Sequence, residues 1–287
     1  MTETVWRYKV NPRITQKVGE AVIWLAGGLT LLILMLLVFY ILWNGLPQVN
    51  WRFLSSSPMM MGREGGILPT IVGTVVLTLL AVVIATPFGV ATAVYLVEYT
   101  RPSRITEMIR FGADALAGIP SIIYGLFGFV FFVIRLNLGW SILSGALTLA
   151  IMILPTIVRT SEEALRAVPD DFREVSLSLG ASRWGMVTSV VLPAALPAVA
   201  TGVVLGMGRC VGETAAVILT AGSSLRLPTG LDFPVRTMSV HFYILAREGI
   251  SDRMAWGTGA VLVISILAIN VLVNWLAVRL ARRGARR

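Results

Sequence analysis

Glu174-Val175-Ser176-Leu177-Ser178-Leu179-Gly180, then nine residues, then Val190-Val191-Leu192-Pro193, is the stretch on which the reading of this chain turns. It is polar and interrupted, yet it lies between two long apolar runs. From Arg159 to Arg183 charged and apolar residues alternate, and Val168-Pro169-Asp170-Asp171 reads as a turn followed by a helix start. Gly180 permits a reversal that a residue with a Cβ resists. Leu192-Pro193 and Pro197 mark where the next apolar run begins. The segment at about 166–186 therefore reads as a compact helix–turn–helix projecting from one end of a bundle of spans.

The rest of the chain supplies those spans. Its 287 residues are 56% hydrophobic and 14% charged, whereas a soluble domain carries roughly 25% charged residues. Mean hydropathy is +0.81. Ala21–Trp43 is 23 residues without a charge, roughly 34 Å as a helix and enough to cross a hydrocarbon core of about 30 Å. That length exceeds the apolar core of a signal peptide and no small-residue cleavage site follows, so a retained first span is expected. The fold class is an all-α polytopic membrane protein.

Six spans are expected, at about 20–44, 67–97, 111–135, 139–165, 187–220 and 254–280. The domain reading is a segment 1–19, a transmembrane body 20–280, and a basic tail 281–287. The net charge of +9 invites a nucleic-acid partner, but the cations sit beside the spans. Both termini together with loops 98–110 and 159–183 hold sixteen Lys and Arg, against seven on the opposite side. This asymmetry places both termini and the Glu174 segment in the cytoplasm and removes the case for nucleic acid. Seven of the Trp residues lie mostly near span ends, as interfacial aromatics do.

Chemistry is sparse. Cys210 is the only cysteine and His241 the only histidine, so a disulfide and a multi-Cys or His-based metal site are not expected. The only lysines, Lys9 and Lys17, lie in no phosphate-binding glycine loop. No catalytic residue, metal or cofactor is expected, and any ATP must be hydrolysed by another subunit. Pro87 should kink the second span, and Gly118-Ile119-Pro120-Ser121 splits the third, with Ser121 as N-cap of the half-helix that follows. That break reads either as a packing kink or as part of a translocation path.

Arg209 and Glu213 stand four residues apart within the fifth span, on one helical face. A charged residue at membrane depth is costly and faces a bundle interior or an aqueous path. Two readings stay open: a buried ion pair fixing helix register, or a pathway cation that attracts an anion while Glu213 neutralises it at rest. Arg159 with Glu162 and Glu163 forms a second candidate set, which reads equally as solvated interface charge. Between the last two spans, residues 221–253 carry an amphipathic run, Val240–Arg247, that could lie on the membrane surface and touch a soluble partner.

The Glu174–Gly180–Leu192-Pro193 spacing resembles the "EAA" loop of ABC importer permeases, with Val175 and Ser176 in place of two alanines and Val190 in place of Ile. Further stretches are similar to phosphate-specific permeases: Gly65-Gly66-Ile67, Gly73-Thr74, Gly118–Gly128, Met152–Pro155 and Gly208–Thr214. Tyr124–Gly128, Arg159–Leu165 and His241-Phe242-Tyr243 look more like the A-type (PstA-like) subunit than its C-type partner. Cys210 stands where that family commonly has Ala. The resemblance covers roughly residues 65–280.

That resemblance implies a type I ABC importer permease fold and a bacterial inner-membrane location. It implies that Glu174, Gly180, Ala181, Leu192 and Pro193 form the joint with a separate ATPase. It also implies that Arg209, Glu213, Arg159 and Glu162 line an anion path. The implied partners are a homologous permease, two ATP-binding subunits, an extracytoplasmic phosphate-binding protein, membrane lipid and inorganic phosphate. Alternatives are the C-type phosphate subunit, a permease for molybdate or sulfate, or, in another class, a passive channel or membrane sensor.

Overall fold

The computed structural model describes residues 12–101 and 103–284. Arg7, Lys9, Arg286 and Arg287, which carry part of the charge argument, lie outside the described residues. Among the described residues five helical spans are long and apolar enough to cross a membrane, and a bent pair of helices brings the count to six only if its two arms are taken as one span.

The first helix, α1 (Pro12–Gly45), is apolar all round, and none of its most apolar window is buried by the chain itself. Such a helix suits lipid or a partner. It meets the bundle near its far end, where Tyr40 packs edge-on against Trp256 with ring centres 5.4 Å apart. A short helix, α2 (Trp51–Ser55), follows, capped by Asn50, which accepts from the Phe53 N–H at 2.8 Å. The ribbon β1 (Pro58–Met59) and β2 (Glu64–Gly65) closes that end of the molecule, with Pro58 opposite Gly65.

The packed body comprises α3 (Leu68–Val94), α6 (Ile142–Arg166), α9 (Leu192–Gly212), α11 (Met238–Arg247) and α12 (Asp252–Gly284), with α4 (Arg104–Ala117), α5 (Ser121–Gly128), α7 (Asp170–Ser178), α8 (Arg183–Met186) and α10 (Ala215–Thr220) as shorter pieces between them. The central core is built from Leu77, Ala81, Tyr124, Leu149, Met152, Ile153, Ile157, Cys210 and Val240. Cys210 is fully buried there, a packed small residue as its apolar surroundings imply. A second cluster joins Val94, Leu165, Met186, Val191 and Val199 at the end bearing the Glu174 segment. Helix α3 continues without interruption through Pro87 and ends in a π-helical turn, Tyr95–Tyr99.

The third span is broken where Gly118–Ser121 predicts: α4 (Arg104–Ala117) and α5 (Ser121–Gly128, continued by π-helical Phe129–Arg135) are bent by 99°. Pro120 takes an extended backbone, φ −57° and ψ 138°, and its ring disfavours a helical Ile119. The Tyr124 hydroxyl donates to the Leu116 carbonyl at 2.7 Å, tying the two arms together. Helix α4 exposes Ile105, Met108 and Ile109 on one side and carries Arg104, Glu107 and Asp114, a division suited to a membrane surface rather than its interior. Ser121 is also not the N-cap; Pro120 holds that position, with no side-chain bond to the turn.

The fifth span is broken as well. It begins as α8 (Arg183–Met186), widens through a π-helical turn, Val187–Val191, enters α9, and stops at Gly212 before α10 (Ala215–Thr220). Pro193 has no N–H for the helical ladder, and the wide turn immediately before it absorbs that loss. The run Val240–Arg247 is not a surface helix. Met238, Val240, His241, Ile244 and Leu245 of α11 are buried, because these positions form a broad apolar stripe that faces the core.

Candidate functional site

The elbow at one end of the bundle is built as its residues suggest. Helix α7 (Asp170–Ser178) starts after Pro169 with two acidic residues in its first turn, where the helix dipole favours them. It ends at Ser178, with Leu179 as C-cap and then Gly180, whose φ of +85° lies in the left-handed region. There the Ala181 N–H donates to Ser176 O at 3.2 Å and the Gly180 N–H to Leu177 O at 3.0 Å, closing the helix end. Ser182 then caps α8, accepting from the Gly185 N–H at 3.1 Å.

No residue of α7 is buried. Phe172, Val175 and Leu179 stand exposed, Leu179 at 84%, and with Ala181 and Val190 they line an apolar groove of about 500 Å³. Glu174 is exposed on the same short helix. The sequence-named coupling residues Glu174, Gly180 and Ala181 thus sit together on the elbow. Leu192 and Pro193 lie at its root, where α9 begins.

The elbow is held to the bundle by a side chain that sequence reasoning missed. Arg173 donates from Nε and Nη2 to Glu98 Oε1 at 3.1 and 2.8 Å, from Nη2 to Leu165 O at 2.8 Å, and from Nη1 to Val168 O at 2.7 Å. The Arg173 side chain is 15% exposed and that of Glu98 only 5%. The sequence held one weak signal, a carboxylate closing an apolar span within Tyr95-Leu96-Val97-Glu98, but nothing in it pairs residues 75 positions apart.

Arg209 and Glu213 are not an ion pair. Helix α9 ends at Gly212, Glu213 adopts φ −72° and ψ 132°, and its Oε1 accepts from the Ala216 N–H at 3.2 Å. That carboxylate therefore caps α10, and the Glu213 carbonyl accepts from the Ser239 hydroxyl at 2.6 Å. Arg209 stays half-buried in the last turn of α9, where the dipole favours a cation, and has no carboxylate partner among the described residues. It lies within electrostatic reach of the Tyr124 hydroxyl.

Arg159 and Glu162 are also regrouped. Arg159 bonds Asp114 at 2.7 Å and lies 3.5 Å from Glu163. Glu162 pairs with Arg166 at 2.8 Å and lies 2.8 Å from Arg110 Nε, in a contact without hydrogen-bond alignment. These charges line a cleft of about 190 Å³ between α4 and α6. Asp114 and Arg110, neither of them foreseen, fasten the bent-off α4 to the bundle there. No group of three or more candidate metal ligands occurs among the described residues.

Comparison with known proteins follows this geometry. Residues 85–286 match the family described as "Binding-protein-dependent transport system inner membrane component". The chain is 33% identical over 290 residues to the "Probable ABC transporter permease protein YqgI" of Bacillus subtilis (strain 168), covering 96% of this chain and 99% of the relative. It is 31% identical over 242 residues to the "Phosphate transport system permease protein PstA" of Pasteurella multocida (strain Pm70), covering 83% of this chain and 85% of the relative. In fold it is similar to a chain of a bacterial alginate ABC transporter crystallised with its alginate pentasaccharide-bound periplasmic protein. The TM-score is 0.65 at 15% identity, covering 94% of this chain and 98% of that one.

Proposed function

We propose that this chain, which belongs to the family of binding-protein-dependent transport system inner membrane components, is the A-type permease subunit of an ATP-driven importer of inorganic phosphate. It forms half of the translocation path beside a homologous permease. Two ATP-binding subunits hydrolyse the nucleotide, and an extracytoplasmic phosphate-binding protein delivers the anion. The transmembrane body spans about 20–280, with both termini and the elbow at about 166–186 in the cytoplasm. The Lys and Arg asymmetry supports that orientation.

One observation carries this reading: the elbow presents an exposed apolar groove on a helix none of whose apolar side chains is buried within its own chain. Exposed apolar grooves of this kind mark partner surfaces. Glu174, Gly180 and Ala181 sit on it, and Leu192-Pro193 connects it to a span. An ATPase that closes on ATP moves this elbow, and the helices rock between outward- and inward-open states. The relatives named as phosphate permeases support the choice of anion.

The anion passes near Arg209, a half-buried guanidinium that lacks a carboxylate partner among the described residues and presents a planar set of donors to phosphate oxygens. Glu213 supports the site indirectly by holding α10 in place. At the elbow end Arg159 and Glu162 line the cleft against α4, on the inner part of the path.

Uptake of labelled phosphate in a strain lacking this chain, restored by the wild type and competed by unlabelled phosphate, tests the reading. Molybdate and sulfate in excess should leave uptake within about twofold, whereas competition by either would reassign the substrate. Arg209→Ala, in a complex that still assembles, should reduce uptake at least about tenfold through loss of a charged hydrogen-bond donor set. Unchanged uptake would make Arg209 a structural residue only.

A further inference from the structure

The geometry assigns Glu98 a role as the positioning residue of coupling: through Arg173 it sets the angle of the elbow and ties the elbow's displacement to α3 and α6. This inference rests on the elbow being the ATPase-docking element. It concerns a different question, namely how a pull on an exposed helix reaches the spans.

Apolar burial does not orient α7, because none of its residues is buried. What ties it to α3 and α6 is one guanidinium. Nε and one Nη2 proton go to Glu98, with Oε2 also 3.3 Å from Nε. The second Nη2 proton goes to Leu165 O, at the end of α6. Nη1 reaches Val168 O and Asp170 Oδ1, the latter at 3.1 Å. A guanidinium has five N–H donors in a rigid fork, and here each has an acceptor. The fork therefore joins three pieces: the π-helical end of α3, the end of α6, and α7 itself.

Glu98 is the least exposed member of this set, at 5%, and Arg173 is the only cation within salt-bridge distance of it among the described residues. A buried pair of this kind is a poor means of adding stability, since well-packed apolar residues do as well. What a bidentate fork supplies is fixed geometry. On a helix with no buried apolar side chain, that geometry is what converts a force on the elbow into motion of two spans rather than rotation of α7 in place. Lys in place of Arg173 would keep the charge but lose the fork.

The test uses the full complex, with its homologous permease, ATPase and binding protein, reconstituted in vesicles. Labelled inorganic phosphate imported per ATP hydrolysed is compared for wild type, Glu98→Gln, Glu98→Asp and Arg173→Lys. The expected result is a complex that still retains its ATPase while Glu98→Gln and Arg173→Lys lower phosphate imported per ATP about tenfold, within the usual range of coupling between distant sites. Glu98→Asp, which keeps the carboxylate, should recover part of that loss. A simple stability role would lower the amount of complex and leave the ratio unchanged. An unchanged ratio in assembled Glu98→Gln complex overturns the inference, and so does failure of every variant to insert, which would make the pair a folding element. A wild-type complex that hydrolyses ATP but imports no phosphate would instead refute the substrate reading, and ATP hydrolysed per closure would then report the clamp through the ATPase response to the binding protein.

Discussion

Gly180 and His241 show how single residues carry opposite kinds of constraint. A Cβ added at Gly180 would meet nothing within 4 Å, so any penalty there is conformational and comes from the φ of +85°. A left-handed residue with a Cβ costs roughly 1–2 kcal/mol, less for Asn than for a β-branched side chain. Gly180→Asn should therefore keep phosphate uptake near wild type, while Gly180→Val should reduce it several-fold with insertion unchanged; equal uptake by both would remove the turn from the coupling account. At the other end of the molecule His241 is fully buried, its Nδ1 3.4 Å from Arg236 Nη1. Burial, aided by the Arg236 charge, holds its pKa down at about 4, below the ordinary 6.5. The unfolded chain then binds the extra proton between these values. The native state keeps its full margin above pH 6.5 and loses it as pH falls toward 4, by at most about 3 kcal/mol. Denaturant unfolding of the detergent-purified chain should show that slope, and His241→Gln should flatten it; a slope that persists in the variant would assign the acid sensitivity elsewhere. Neither the depth of His241 nor its approach to Arg236 was legible in sequence, because burial of α11 depends on packing against α3 and α12.

At the level of elements, the elbow was the most legible part of the chain. Pro169 with two Asp marked the start of α7, Gly180 its end, and both follow from local backbone chemistry. The spans were legible from hydropathy for the same reason, since each satisfies its own backbone bonds. What periodicity could not give was the direction of the chain after a break. Gly118-Ile119-Pro120 announced an interruption, but the 99° bend comes from Pro120 and from Tyr124 reaching Leu116. The pairing of Arg209 with Glu213 failed because α9 stops at Gly212 and the carboxylate turns forward onto α10. Leu179 is 84% exposed, so Leu179→Asp should leave insertion and folding intact. An apolar side chain of this size contributes about 1.5–3 kcal/mol when buried at a partner. Co-purification of the ATPase in detergent should therefore fall at least about tenfold, and retention at wild-type stoichiometry would place the docking surface elsewhere.

Across the whole molecule, the exposed apolar groove of the elbow, the half-buried Arg209 guanidinium and the β1–β2 ribbon are separate features. Among the described residues, ion pairs fasten helices to one another. Long-range fastenings such as Glu98 to Arg173 and Asp114 to Arg159 are what one sequence conceals, because charge identity carries no partner address over such separations. Helix α1, apolar and unburied along its most hydrophobic stretch, leaves room for lipid beside the packed body. On the proposed function, the chain is a conduit that moves only when its ATPase pulls on it. Labelled phosphate uptake into vesicles measures that dependence directly, with the chain reconstituted alone and then with its permease partner, ATPase, binding protein and ATP. Uptake should be confined to the complete, ATP-supplied assembly, and phosphate passing at a comparable rate through vesicles that lack the ATPase would contradict it.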